Sequence, residues 1–238
     1  MLKAVLFDFN GVIINDEPLH SKLLDKILLE ENLRPKPEEY WEMCVGRSDR
    51  AGLREVLHRR GRVVNDDYLT ALIARKSRYY QAELANIEKL PTYPGLEDLL
   101  FQIRAAHLPM AIVSGAVRAE IDLVLERLNL TQQFMAIVAG DDILVSKPEP
   151  DGYLLAVEKL NALLPDLQLE PQNCLAIEDT PAGIEAAKRA GMQVVGVANT
   201  YPFHMIQRQA NWTVDYLTDL ELERVRQVFL GRESPQTV

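Results

Sequence analysis

The sequence predicts an α/β fold: a parallel, Rossmann-like sheet with helices on both faces, interrupted by an inserted helical domain. Three observations lead there. Short runs rich in Val, Ile and Ala alternate with apolar patterns of helical period. Those runs are apolar without alternation, as strands covered on both faces are. No strand pattern appears between about residues 18 and 90, where the apolar spacing is helical throughout. The chain has 238 residues, 47% of them hydrophobic, which suffices for one large domain or two small ones.

The first strand is expected over about residues 3–9 and runs into Asp8, Asn10 and Gly11. A polar elbow follows, Asn15-Asp16-Glu17-Pro18. Leu19, Leu23, Leu24, Ile27 and Leu28 then repeat at helical spacing, and Pro35 and Pro37 are expected to end that helix. Leu53, Val56 and Leu57 mark a second helix, stopped at Gly61. Tyr68, Leu69, Leu72, Ile73, Tyr79, Tyr80 and Leu84 mark a long third one. The Pro91–Gly95 turn returns the chain to the α/β rhythm. The expected division is therefore a core of residues 1–15 and 92–238 and a helical domain of residues 16–91.

From there helices near 95–107, 117–128, 151–161 and 181–190 alternate with four strands. Met110–Val113 stops on Ser114-Gly115, and Ala136–Ala139 on Gly140-Asp141-Asp142. Cys174–Ile177 stops on Glu178-Asp179-Thr180, and Val194–Val197 follows. A βαβ series implies a parallel sheet with right-handed crossovers. Glu233–Val238 reads as a frayed tail.

The net charge of −9 argues against nucleic acid, whose partners usually present a basic face. Cys44 and Cys174 have no CxxC neighbour and read as small buried hydrophobes in a reducing compartment. The start of the chain reads as a strand, not a signal peptide, and no apolar run is long enough to span a membrane. A cytoplasmic protein, monomer or weak dimer, is expected.

Polar residues end four successive strands: Asp8 and Asn10; Ser114; Asp141 and Asp142; Glu178 and Asp179. Lys147 follows in Ser146-Lys147-Pro148-Glu149-Pro150. Singly these have structural explanations: Ser114 as a helix cap, Thr180-Pro181 as a helix start, Lys147 as a solvated turn. Together, in a parallel sheet, they converge on the rim where open α/β sheets bind ligands. Carboxylates gathered there repel unless a cation sits among them. Oxygen ligands without a His or Cys cluster suit Mg²⁺ with a substrate phosphate. A lysine, a hydroxyl and backbone N–H groups suit the phosphate itself. Metal, phosphate and a free carboxylate point to phosphoryl transfer through an aspartyl intermediate.

With those segments in view, the chain resembles the haloacid dehalogenase superfamily, in particular its β-phosphoglucomutase-like group with a helical cap. The matching segments are Asp8-Phe9-Asn10-Gly11-Val12, Glu17-Pro18-Leu19-His20, Ser114-Gly115, Lys147-Pro148-Glu149-Pro150 and Glu178-Asp179-Thr180. The resemblance implies a nucleophile at Asp8, a phosphate-binding Ser114 with Gly115, and a charge-neutralising Lys147. It implies Mg²⁺ near Asp8 and Asp179, with Glu178 close by and the backbone carbonyl of Asn10 as a further ligand. In the cap it implies substrate contacts from Arg47, with Arg50 competing for that role. His20 would orient the hinge or touch substrate. Lys76 either reaches the cleft or joins a basic solvated face with Arg75 and Arg78.

One departure stands out. Relatives of this kind carry aspartate at the position of Asn10, as general acid and base. An amide cannot exchange a proton near neutral pH, and losing that help costs ~10²–10⁴ in rate. The elbow departs too, with Asn15-Asp16 where Asp followed by Ser or Thr is usual. Three readings stay open: a slowed Mg²⁺-dependent phosphatase acting on a small phosphorylated metabolite, an enzyme in which Asp16 or Glu17 swings in as the acid, and a phosphate-ligand binder that hardly turns over. A sugar phosphomutase is the enzymatic alternative. Asn10→Asp is expected to raise the turnover of an impaired enzyme.

Overall fold

The computed structural model describes residues 1–231, so the tail expected to fray lies outside the described residues. Six strands form one sheet: β1 (Ala4–Phe7), β2 (Met110–Val113), β3 (Ala136–Val138), β4 (Cys174–Glu178), β5 (Gln193–Val197) and β6 (Trp212–Val214). Their order is β3-β2-β1-β4-β5-β6, and every pairing is parallel. The chain works outward from β1 to β3, then crosses back to place β4 on the other side of β1. That reversal is the topological switch point, where the loops diverge and leave a crevice at the carboxyl ends of the strands.

Between β1 and β2 lie α1 (Glu17–Glu30), α2 (Pro37–Met43), α3 (Asp49–Arg59) and α4 (Asp66–Ala85). They bury their own apolar cluster, including Leu24, Ile27, Met43, Leu53, Val56 and Leu69. Pro37 corrects the sequence reading. It does not end a helix but opens α2, where a first-turn proline gives up only an N–H that has no helical partner. Ser48 and Asn65 cap α3 and α4 by accepting from Ala51 N and Tyr68 N. The two crossings into the insertion run side by side: Ile14 bridges Thr92, and Asn15 N donates to Pro91 O at 2.7 Å.

Strand side chains alternate between two layers. Val5, Phe7, Ile112, Ile177 and Val195 pack beneath α5 (Leu96–Ala105), α6 (Arg118–Arg127) and, further along the chain, the last helix at Leu222–Phe229. Ala4, Leu6, Ala111, Val113, Ala176 and Val194 face α7 (Asp151–Leu163), α8 (Pro181–Arg189) and α9 (Phe203–Ile206). Alanines dominate this second face and let its helices approach closely. The last helix is α10; with α9 and β6 it adds three elements to the series that the sequence predicts, two of them only four and three residues long.

Candidate active site

Register places the first carboxylate. Phe7 pairs with Ile177, so Asp8, one residue past β1, stands level with Glu178 at the end of β4. Lys147 lies between them, its Nζ 2.9 Å from Asp8 Oδ1 and 2.6 Å from Glu178 Oε1, while also donating to Val113 O at 3.1 Å. Tyr153, on α7, donates to the same Glu178 oxygen at 2.6 Å. The other Glu178 oxygen accepts from Asp179 N and the Thr180 hydroxyl. Glu178 thus has both oxygens engaged under the site. Burial alone would discharge Lys147, but Asp8 and Glu178 hold its pKa above the ordinary value. Burial and Glu178 outweigh Lys147 at Asp8 and raise its carboxyl to about 7.

Asp179 is the anomaly. It is fully buried, and among the described residues neither carboxylate oxygen has a partner in hydrogen-bond geometry. Burial, then Asp8 and Glu178, push its carboxyl well up, with only the Thr200 hydroxyl tempering the effect. An unpaired buried carboxylate is costly unless something neutralises it. Oxygens of Asp8, Glu178 and Asp179 come within 4.8 Å of one another. Gly11 keeps the space open: a Cβ there would lie 1.8 Å from Asp179 Oδ2, and its φ of +81° favours glycine. An all-oxygen donor set with an orphaned carboxylate fits a hard divalent cation such as Mg²⁺.

Above this cluster is a cavity between the sheet rim and the inserted helices, with Asp8, Asn10, Glu17, His20, Arg47 and Lys76 in its wall. The insertion closes tightly onto the rim. Ser48 N donates to Ser146 Oγ at 2.7 Å, and a Cβ on Gly115 would lie 2.4 Å from Arg47 O. Arg47 is the wall's cation without a carboxylate partner among the described residues, since Lys147 and Lys76 are both paired.

The Asn10 side chain is fixed from behind. Its amide donates to both oxygens of Asp16, at 2.9 and 3.1 Å. Tyr80 donates to Asp16 Oδ2 at 2.5 Å and stacks on His20 with ring centroids 4.8 Å apart. Burial raises the Asp16 carboxyl, but His20 and the bonds from His20, Asn10 and Tyr80 outweigh it and hold the pKa below the ordinary range. Lys76 Nζ lies 2.8 Å from His20 Nδ1 and from Asp49. His20 Nε2 faces Asp16 Oδ2 at 3.3 Å; burial and Lys76 push the imidazole down, but Asp16 outweighs them and holds its pKa above the ordinary value.

The structure brings Asp8, Lys147, Glu178 and Asp179 together, with Asn10, His20, Arg47, Lys76 and Gly115 in the cavity wall beside them. Ser114 lies just beneath, its buried hydroxyl accepting from Ala116 N at 3.0 Å. Lys76 is not on a solvated face; it is buried, because His20 and Asp49 take two of its hydrogens. Arg50 turns away to Asp66 and Thr70. Asp141 and Asp142 do not join the acidic cluster. Asp141 accepts from Arg118 N, and Asp142 is held by Arg118 and Lys159 on the outer side of β3. Tyr153, Tyr80, Asp49 and Tyr40 were not singled out by the sequence; their partners lie 25, 64, 27 and 23 residues away, beyond any local pattern.

Comparison with known proteins gives the chain a family. The family model for haloacid dehalogenase-like hydrolases matches residues 5–197. A β-phosphoglucomutase of Bacillus subtilis (strain 168) is 32% identical over 226 residues, covering 93% of each chain. A phosphorylated carbohydrates phosphatase of Thermotoga maritima is 28% identical over 203 residues, covering 84% of this chain and 87% of that one. The crystal structure of β-phosphoglucomutase from Clostridium difficile shares the fold, with a TM-score of 0.83 at 24% identity over 97% of this chain and 98% of that one.

Proposed function

The chain belongs to the haloacid dehalogenase-like hydrolases, and on that premise we propose that it is a Mg²⁺-dependent phosphatase of a small phosphorylated metabolite, with Asp8 as nucleophile. The observation that carries the reading is the buried Asp8–Lys147–Glu178 chain beside an Asp179 that has no cation partner among the described residues. Asp8 and Asp179 would hold the cation; Glu178, with both oxygens engaged, would instead position Lys147. When bound, the cation would draw charge from the phosphoryl oxygens as transfer proceeds.

The chain's own residues do the rest. Asp8 bonds phosphorus while Lys147 balances its charge. Ser114 and the backbone around Gly115 receive the phosphoryl oxygens. Residues 16–91 act as a cap that excludes water and presents Arg47 to the distal part of the substrate. The Asn10 amide is held by Asp16, and it carries no proton that it can transfer to a departing oxygen. Hydrolysis is preferred to a mutase reaction, which a relative's name suggests, because a mutase must move protons repeatedly around a bisphosphate.

The test is release of phosphate from a panel of aryl, acyl and sugar phosphates with Mg²⁺. Turnover that disappears in Asp8→Asn is expected. Binding of phosphorylated ligands without turnover, in the presence of Mg²⁺, would replace the enzyme with a binding protein.

A further inference from the structure

We propose that Glu17 is the acid and base of the reaction, doing from the first turn of α1 what Asn10 cannot do. The proposal rests on the phosphatase reading and extends it. Cleaving an alcohol ester needs a proton for the departing oxygen, and removing the phosphoryl group from Asp8 needs a proton taken from water. Some side chain in the cavity wall must supply both.

The candidates can be eliminated one by one. Lys147 is held between Asp8 and Glu178, and Lys76 and the wall's other carboxylate, Asp49, take up each other, with both Asp49 oxygens 2.8 Å from Lys76 Nζ. Both His20 nitrogens are used, one by Lys76 and one toward Asp16. Burial pushes the Cys44 thiol up to about 12, so it holds its proton. Asp16, the other carboxylate of the elbow, sits behind Asn10, its oxygens taken by Asn10 and Tyr80, and it has no place in the cavity wall.

Glu17 differs on each count. It is 9% exposed and lines the same cavity as Asp8. Tyr40, from α2, donates to Oε2 and fixes the group, while among the described residues no hydrogen bond uses Oε1. The groups that act on it are His20 on its own helix, Tyr40, Asp16 and Lys76, and its charge is felt in turn by Cys44, Tyr93, Asp179 and Tyr201. Burial is the largest influence, and the carboxyl stands above its ordinary pKa, as a proton donor working near neutrality needs.

The steps balance. Asp8 bonds phosphorus as the ester P–O bond breaks, and the Glu17 proton passes to the departing alkoxide. The ionised Glu17 then takes a proton from water as the water oxygen bonds phosphorus and the Asp8–phosphorus bond breaks. Inorganic phosphate leaves, and both carboxyl groups return to their starting states.

The experiment compares Glu17→Gln with the parent chain on an alkyl and an aryl phosphate, with Mg²⁺. Glutamine keeps the shape and still accepts from Tyr40. The alkyl ester should lose ~10²–10⁴ in kcat, and the aryl ester, whose leaving group needs little protonation, far less. Equal losses on both, or no loss on the alkyl ester, overturn the proposal and leave the phosphatase reading standing. No turnover of either ester by the parent chain overturns both. If Glu17→Gln does not fold, Tyr40→Phe decides: it frees the carboxyl, and a kcat loss confined to the alkyl ester is expected, an unchanged ratio being fatal.

Discussion

Asn10→Asp looks like the repair of a missing acid, yet the structure predicts that alone it damages the protein. The Asn10 amide donates to the two Asp16 oxygens at 2.9 and 3.1 Å. A carboxylate at residue 10 would face Asp16 at that same distance, with both groups largely out of water. At an effective dielectric of ~20, two like charges about 3 Å apart repel by about 5 kcal/mol. Keeping a proton at pH 7 on a carboxyl of ordinary pKa costs about 4 kcal/mol, at about 1.36 kcal/mol per pH unit. Protonation is the cheaper outcome, so the pair shares one proton and its upper pKa is raised. A folded-state pKa raised above the unfolded value leaves stability intact below about pH 4 and removes it as pH rises. Urea unfolding of Asn10→Asp should therefore match the parent near pH 4 and fall behind by up to about 4 kcal/mol at pH 7. Adding Asp16→Asn should close the gap, because the amide and the carboxylate have only exchanged places. Parallel stability profiles for the parent and Asn10→Asp across that pH range would refute the argument.

Two further outcomes follow from the same geometry. Lys147→Met strips the shared partner from Asp8 and Glu178, both buried, and should abolish turnover and cost about 3–5 kcal/mol in chemical unfolding. Mg²⁺ at 100 times its Kd should add about 2.7 kcal/mol of stability to the parent, read as a rise in Tm. Asp179→Asn, which supplies a neutral group where an orphaned carboxylate now stands, should lose that dependence on Mg²⁺ while folding normally without it. An undiminished Mg²⁺ response in the variant would move the cation away from Asp179.

Much of the fold and the floor of the site could be read from the chain, because the signals are local. Continuous apolar runs ending in polar residues mark β1, β2 and β4, and parallel pairing brings their ends to one rim. Hence Asp8, Ser114, Glu178 and Asp179 could be named from spacing alone. The cap side was less legible. Pro37 reads as a stop and is a start, since proline suits the first turn of a helix as well as the residues after one. Lys76 carries the same charge as Arg75 and Arg78, yet only Lys76 points inward, and helix rotation against α1 and α3 decides that.

The division of labour is physical. Order along the chain determined the α/β class, the inserted helices and the place of Asp8 at the end of β1, because strand burial and helical period are written in neighbouring residues. Packing between distant segments decided everything that depends on who meets whom. It turned Asp141 and Asp142 outward to Arg118 and Lys159, and left Asp179 without a partner. It set Asp16 behind Asn10 and Glu17 in the open wall, though the two carboxylates are adjacent in the chain. Neighbours at the start of a helix point about 100° apart, so only the docking of that helix could choose which one faces the cavity and which is sealed beneath it.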